Sequence, residues 1–249
     1  VSQALLQALQ NPALFDHKVE SFQLIETHIS WVILTGSYAY KIKKPMDFGF
    51  LDFTTLEKRK HFCEEELRLN RRLAPELYLE LLPLYGDEQS PSFNGNGEVQ
   101  EYVIKMRQFS QDNLLNNLLA AGKLTPDHIN EVAVQVADFH AHTEVAGADT
   151  RFGTPEQVVF PVQQNFDQIR PLLTEKADLQ QLEQIEAWAQ DTFTLLTPAF
   201  EQRKAEGKIR ACHGDLHLGN ITLFEDKIRL FDCIEFNDDF YWIDVMREA

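Results

Sequence analysis

Positive charge, cysteine and glycine-rich phosphate motifs are all in short supply in this chain, and each shortage narrows what it can be. Lys and Arg number 23 against 39 Asp and Glu, for a formal net charge of -16. A phosphate backbone demands basic patches, so nucleic acid is not expected as the main partner. A small cationic or neutral substrate suits the balance better. The three cysteines, Cys63, Cys212 and Cys233, form no C-x-x-C pair and are odd in number, which fits reduced thiols in a cytoplasm. No run reaches the ~18 apolar residues of a membrane span. The first residues, Val1-Ser2-Gln3-Ala4-Leu5-Leu6, lack the basic start of a secretory leader and lack an initiator Met, so the numbering is expected to begin inside a longer product. There is no G-x-x-x-x-G-K-[ST] and no G-x-G-x-x-G, which excludes a P-loop enzyme. Internal repeats and low-complexity tracts are absent too.

What is present is an ordinary globular composition, 44% apolar and 25% charged, in a chain of 249 residues that allows one large domain or two lobes. The opening 20 residues carry Leu5, Leu6, Ala8 and Leu9 at helical spacing and stop at Asn11-Pro12. Residues 22–45 then turn β: Phe22–Ile25, Ile29–Leu34 and Tyr38–Lys43 predict a small antiparallel sheet, with Thr35-Gly36-Ser37 as the turn between the last two. Thr54 and Glu57 form a capping-box signature for a helix carrying Leu56, Phe62, Cys63, Leu67 and Leu73 and ending before Pro75. Leu79–Tyr85 and Val99–Met106 are further strands.

From about residue 110 the pattern is helical. Thr125-Pro126-Asp127 starts one helix, with Ile129, Val132, Ala133, Val136 and Phe139 as its apolar face. At least one more helix lies in 163–206, centred on Leu182, Ile185 and Trp188. Short strands at Asn220–Phe224 and Lys227–Phe231 are joined at Glu225-Asp226. Strands first and mostly helices afterwards predict an α+β fold. The break is expected between a β-rich N-terminal lobe, 1–106, and a mostly helical C-terminal lobe, 107–249.

One stretch carries chemistry: Cys212-His213-Gly214-Asp215-Leu216-His217-Leu218-Gly219-Asn220, followed by Ile228-Arg229-Leu230-Phe231-Asp232. Its spacing is H-x-D-x-x-x-x-N with a second aspartate ending an apolar run. Phosphoryl transfer needs such parts: a carboxylate for the acceptor's proton, and an amide oxygen plus another carboxylate to hold Mg²⁺ on the phosphates. Together with a strand lysine, a helix glutamate, Phe139-His140 and Ile243-Asp244-Val245, the stretch resembles the aminoglycoside phosphotransferase/choline kinase group of small-molecule kinases. The resemblance spans roughly residues 20–249 and is more specific in its second half. It implies a bilobal protein-kinase-like fold and an ATP- and Mg²⁺-dependent kinase with an alcohol group of a small molecule as acceptor.

On that resemblance Asp215 is the catalytic base, and Asn220 and Asp232 hold Mg²⁺. His213 braces the loop, and His217 has no assigned role. Lys41 and Lys43 share one face of their strand; one reaches the ATP phosphates, Lys41 being favoured by the match of Ala39-Tyr40-Lys41-Ile42. Glu66 is the chosen partner acid, with Glu64 and Glu65 beside it. The turn Glu26–Ser30 substitutes for a glycine-rich loop, with Ser30 as phosphate donor. The segment 103–108, including Met106, is the hinge that meets adenine. Asp47-Phe48-Gly49 spells a kinase metal tripeptide but precedes the helix of Glu66, so it reads as a loop, and Lys44 reads as a solvated edge.

Two other readings stand beside the kinase. One is a catalytically silent, nucleotide-binding regulatory module of kinase-like fold. The other takes His213, Asp215 and His217 as an H-x-D-x-H metallohydrolase cluster. The acidic run Glu235–Asp239 serves either as a cation site for the acceptor or as a solvated loop. Because the sequence stops at Met246-Arg247-Glu248-Ala249 in an apparent helix, additional C-terminal helices or a further domain are expected in a longer product.

Overall fold

The computed structural model describes residues 2–248. A short helix, α1 (Gln3–Ala8), opens with the Ser2 hydroxyl accepting from the Leu5 N–H at 3.2 Å. Pro12 ends it, as expected, in a single tight turn. Six strands follow in one antiparallel sheet: β1 (Gln23–Glu26), β2 (Ser30–Leu34), β3 (Tyr38–Lys43), β4 (Tyr78–Gly86), β5 (Pro91–Ser92) and β6 (Val99–Arg107). Their spatial order is β1-β2-β3-β6-β4-β5. Between β3 and β4 runs α2 (Leu56–Asn70). Its cap lies one residue later than the sequence suggests: the Thr55 hydroxyl accepts from Lys58 N–H at 3.3 Å, while the Thr54 hydroxyl donates to Asp52 at 2.6 Å.

Alternation along the strands sorts side chains between two cores. Leu34, Ala39, Ile104 and Met106 pack with Cys63 and Leu67 of α2. Ile33, Tyr40, Ile42 and Val103 pack on the other face with Leu5, Leu6 and Leu9 of α1. By the same parity Lys41 and Lys43 fall on the α2 side of β3. That places two ammonium groups where an acid from the helix is needed.

Helices α3 (Leu115–Ala120), α4 (Pro126–His142), α5 (Pro155–Ile169) and α6 (Lys176–Ala205) continue the chain. Strand β7 (Ile209–Ala211) precedes the hairpin of β8 (Ile221–Phe224) and β9 (Lys227–Leu230). Glu225 and Asp226 make its turn at φ 49° and 59°, the left-handed pair that matches strand twist in a two-residue hairpin. The described chain ends with α7 (Asp238–Tyr241), β10 (Trp242–Asp244), antiparallel to β7, and α8 (Val245–Glu248). The fold is mixed α+β, as expected.

Packing groups the chain into two compact units, residues 1–135 with 215–237 and residues 136–214 with 238–249. This grouping does not coincide with a break at 106/107, because 215–237 and the helical residues up to 135 pack in one unit with the sheet. In the second unit, Leu182, Ala189 and Phe193 of α6 pack on Val162 and Phe166 of α5. The helix centred on Leu182, Ile185 and Trp188 is present, with Ile185 and Trp188 on an exposed stripe. In α4 only Val136 is fully buried, and Ile129 and Ala133 of the expected apolar face are exposed. No helix among the described residues is long and apolar enough to cross a membrane.

Candidate active site

Glu66 is the centre of a buried charge network in the first unit. Its side chain is 0% exposed, and its two oxygens accept from Lys41 Nζ at 2.7 Å and Lys43 Nζ at 2.6 Å. Each lysine has a second partner: Lys41 donates to Asp232 Oδ1 at 2.6 Å, and Lys43 to Glu235. So β3 and α2 bring these groups together, and both lysines share the one acid. Glu64 and Glu65 instead make surface pairs with Lys60 and Arg68.

Burial works to lower the Lys41 pKa, but Asp232 and Glu66 outweigh it and hold the amine well above its ordinary value. Lys43 is likewise raised, Glu235 and then Glu66 overcoming burial. Burial pushes the Glu235 carboxyl up, against the pull of Lys43, to about 7. Desolvation is the largest cause, and the negative neighbour Glu66 adds to it, so this acid resists ionisation.

The two lysines differ in what they face. Lys41 lines a cavity of about 430 Å³, whereas Lys43 is 1% exposed and does not. Part of the cavity lining is apolar, including Ile25, Val32, Ala39 and Phe231. Lys41, Asn220 and Asp232 bring charge and polarity to it, and Met106, Arg107 and Gln108 of the expected hinge line it as well. Gln108 is itself anchored, its side-chain oxygen accepting from the N–H groups of Thr35 and Gly36 at 3.0 and 2.9 Å.

From the turn between β1 and β2 it is Thr27, His28 and Ile29 that line the cavity. Ser30 does not, which departs from the expected phosphate donor. The sheet register gives the reason: Val32 lies opposite Lys41, whereas Ser30 lies opposite the buried Lys43. The Ser30 hydroxyl is enclosed with no hydrogen-bond partner among the described residues. Lys44, expected to be solvated, clamps this turn by donating to Glu26 at 2.5 Å and to the Thr27 carbonyl at 2.7 Å.

The motif around Asp215 folds as a tight loop into the short turn Leu218–Asn220. Asn220 Nδ2 donates to the Asp215 carbonyl at 2.9 Å and to its Oδ2 at 3.3 Å. The Asp215 side chain is 57% exposed and that of Asp232 45%. Asp232 has φ 64°, a left-handed conformation that costs a non-glycine residue about 1–3 kcal/mol and persists only where neighbours hold it. Its N–H donates to the Tyr78 hydroxyl at 3.2 Å, and the next N–H, of Cys233, donates to Asn70 Oδ1 at 2.9 Å.

Asp47-Phe48-Gly49 is a loop, as expected, closed by Gly49 N–H on Asp47 Oδ1 at 2.7 Å. The metal-ligand atoms that converge among the described residues are those of His140, Cys212 and Glu248, not an H-x-D-x-H set. There Glu248 accepts from Gly214 N–H at 2.6 Å and meets His140 Nε2 at 2.7 Å, a brace for the backbone of the motif.

A family model described as APH, the phosphotransferase enzyme family, matches residues 58–246. The chain belongs to the phosphotransferase enzyme family. Uncharacterized proteins of Mycobacterium tuberculosis and Mycobacterium bovis are 29% identical over 224 residues, covering 90% of this chain and 43% of theirs. The chain thus spans less than half the length of the curated relatives it matches. Among solved structures, an ADP-bound aminoglycoside phosphotransferase aligns with TM-score 0.49 at 13% identity, over 98% of this chain and 73% of that one. An ethanolamine kinase of Plasmodium vivax aligns with TM-score 0.36 at 14% identity, over 95% and 61%.

In this phosphotransferase family member, the residues that sequence reasoning missed are those that hold Lys43 and the backbone at Asp232 and Cys233. Asn70 and Glu66 are four apart on α2 and so share a face, a signal that was available. Glu235 stood in an acidic run read either as a cation site for the acceptor or as a solvated loop. Nothing in the sequence marks Tyr78.

Proposed function

We propose that this chain carries an ATP- and Mg²⁺-dependent kinase centre, in a cytoplasmic protein, that transfers the γ-phosphate to a hydroxyl of a small molecule. The observation that carries the reading is that Lys41, Asn220 and Asp232 line one cavity, with Asp215 tied to that cavity through Asn220. Lys41, oriented by Glu66, would meet the nucleotide phosphates, and the apolar part of the lining would take the base. Asp215 would accept the proton of the attacking hydroxyl as its oxygen bonds to phosphorus and ADP leaves.

The donor set fits magnesium: an amide and a carboxylate offer hard oxygens, and Asp232 already tolerates a cation 2.6 Å away in the Lys41 amine. Asp232 and Asn220 would hold the ion, which when bound supplies positive charge to the phosphate oxygens. Catalysis would then be mainly alignment and charge neutralisation.

The acceptor is sought by incubating the protein with MgATP and a metabolite panel and reading ADP release and the mass gain of one phosphate. Asp215→Ala should lower turnover by about 10²–10⁴-fold, the range for a positioned general base. Nucleotide binding without ADP formation for any acceptor would favour the silent binding module instead.

A further inference from the structure

We propose, resting on the kinase reading above, that His217 is a positioning residue for Asp215, holding one carboxylate oxygen so that the group presents itself correctly to the acceptor hydroxyl. The imidazole is held at one end and faces Asp215 with the other. Nδ1 accepts the Gly219 N–H at 3.0 Å. A neutral ring with Nδ1 as acceptor carries its proton on Nε2. That Nε2 faces Asp215 Oδ2 at 3.6 Å. The gap is too long for a hydrogen bond as it stands, and contacts of this kind tighten when a substrate is bound. The same Oδ2 is approached by Asn220 Nδ2 at 3.3 Å. Asn220 thus donates to this oxygen, and His217 Nε2 stands 3.6 Å from the same atom.

Gly219 supplies a second, independent observation. A Cβ built there would lie 2.8 Å from His217 Cε1 and 3.0 Å from Nδ1. The ring occupies space that any other residue at 219 would fill. Core packing does not explain the histidine, since its side chain is 57% exposed.

The plain alternative is that His217 only caps the turn Leu218–Asn220, which its Nδ1 does. His217→Asn separates the two roles. Asparagine is among the best capping residues and keeps an acceptor for Gly219 N–H, but it is too short to reach Asp215. With MgATP alone, water being the acceptor, ADP release by H217N should fall roughly 10- to 100-fold, the scale of a misplaced reacting group. KM for ATP and the affinity for a fluorescent ADP analogue should stay unchanged. Gly219→Ala should reproduce the loss.

Wild-type turnover in H217N, or a fall in nucleotide affinity equal to the fall in turnover, overturns the proposal in favour of a cap. A measurement without turnover keeps the two hypotheses apart. Proton–nitrogen correlation spectra of the full chain should show His217 as the Nε2–H tautomer, with its ring signals moved by Asp215→Asn. The opposite tautomer, or signals indifferent to D215N, also overturns it. If the spectra agree but wild-type protein releases no ADP with water or with any acceptor of the metabolite panel, the pairing stands and the kinase reading fails.

Discussion

Replacing Glu66 by glutamine keeps the shape of a fully buried side chain and removes its charge. The carboxylate accepts from Lys41 through one oxygen and from Lys43 through the other, at 2.7 and 2.6 Å. Glutamine has one carbonyl oxygen, so one ammonium must face an NH₂ group, donor against donor. A charge-assisted hydrogen bond is worth about 1.5–3 kcal/mol, and breaking one side of a buried ion pair costs about 3–5 kcal/mol. Because each lysine keeps a second carboxylate, Asp232 or Glu235, the loss should stay within about 3–5 kcal/mol.

That is a large share of the ~5–15 kcal/mol by which a domain is stable, so urea unfolding at several temperatures should show an early midpoint at unchanged slope. Lys41 should also be drawn further onto Asp232 and compete with Mg²⁺, weakening MgADP binding. Glu65→Gln is the control. It breaks only the surface pair with Arg68, worth ~0–1 kcal/mol. An E66Q midpoint displaced no more than that of E65Q, with nucleotide affinity intact, would refute the buried network.

Other outcomes test neighbouring parts. Lys41→Met should weaken nucleotide binding measured by fluorescence titration, while Lys43→Met, outside the cavity, should act chiefly on stability. Asp232→Ala should raise the Mg²⁺ concentration needed for nucleotide binding; an unchanged Mg²⁺ dependence would remove Asp232 from the metal set. Ser30→Ala should be neutral or stabilising in thermal unfolding and leave nucleotide affinity alone, since it deletes a buried hydroxyl with no partner. Burial first, and then the negative neighbour Glu66, raise the folded-state pKa of Glu235 from 4.5 to about 7 against the pull of Lys43. The folded state then binds more protons than the unfolded one between these values, so this group's contribution falls as pH rises through that window. Glu235→Gln should flatten that part of the urea-midpoint profile, and a slope identical to wild type would contradict the assignment.

Much of this was legible without coordinates because it rests on local rules. Alternation along Ala39–Lys43 put both lysines on one face, and β3 and α2 carry them and Glu66. Glu225-Asp226 had to be a hairpin turn between two apolar runs, and it is. The spacing from Asp215 to Asn220 bends the chain so that the amide returns to the aspartate that starts the loop. These are properties of a few neighbouring residues, and a linear string records them.

Register and burial were decided by tertiary packing. Val32 rather than Ser30 lies across from Lys41 because the hairpin sets which residues are opposite, and only the folded sheet reveals that Lys43 is sealed in while Lys41 opens onto the cavity. Glu235 is drawn inward by Lys43, from almost 200 residues earlier in the chain, as no reading of its acidic neighbours implies. The left-handed backbone at Asp232 is held by Tyr78 and its neighbour Cys233 by Asn70, both distant in sequence. The amino-acid string determines which groups are able to do phosphate chemistry, since that depends on their own functional groups and short-range spacing. Which of them reach a ligand depends on desolvation and on contacts between remote segments, and those exist only once the chain has folded.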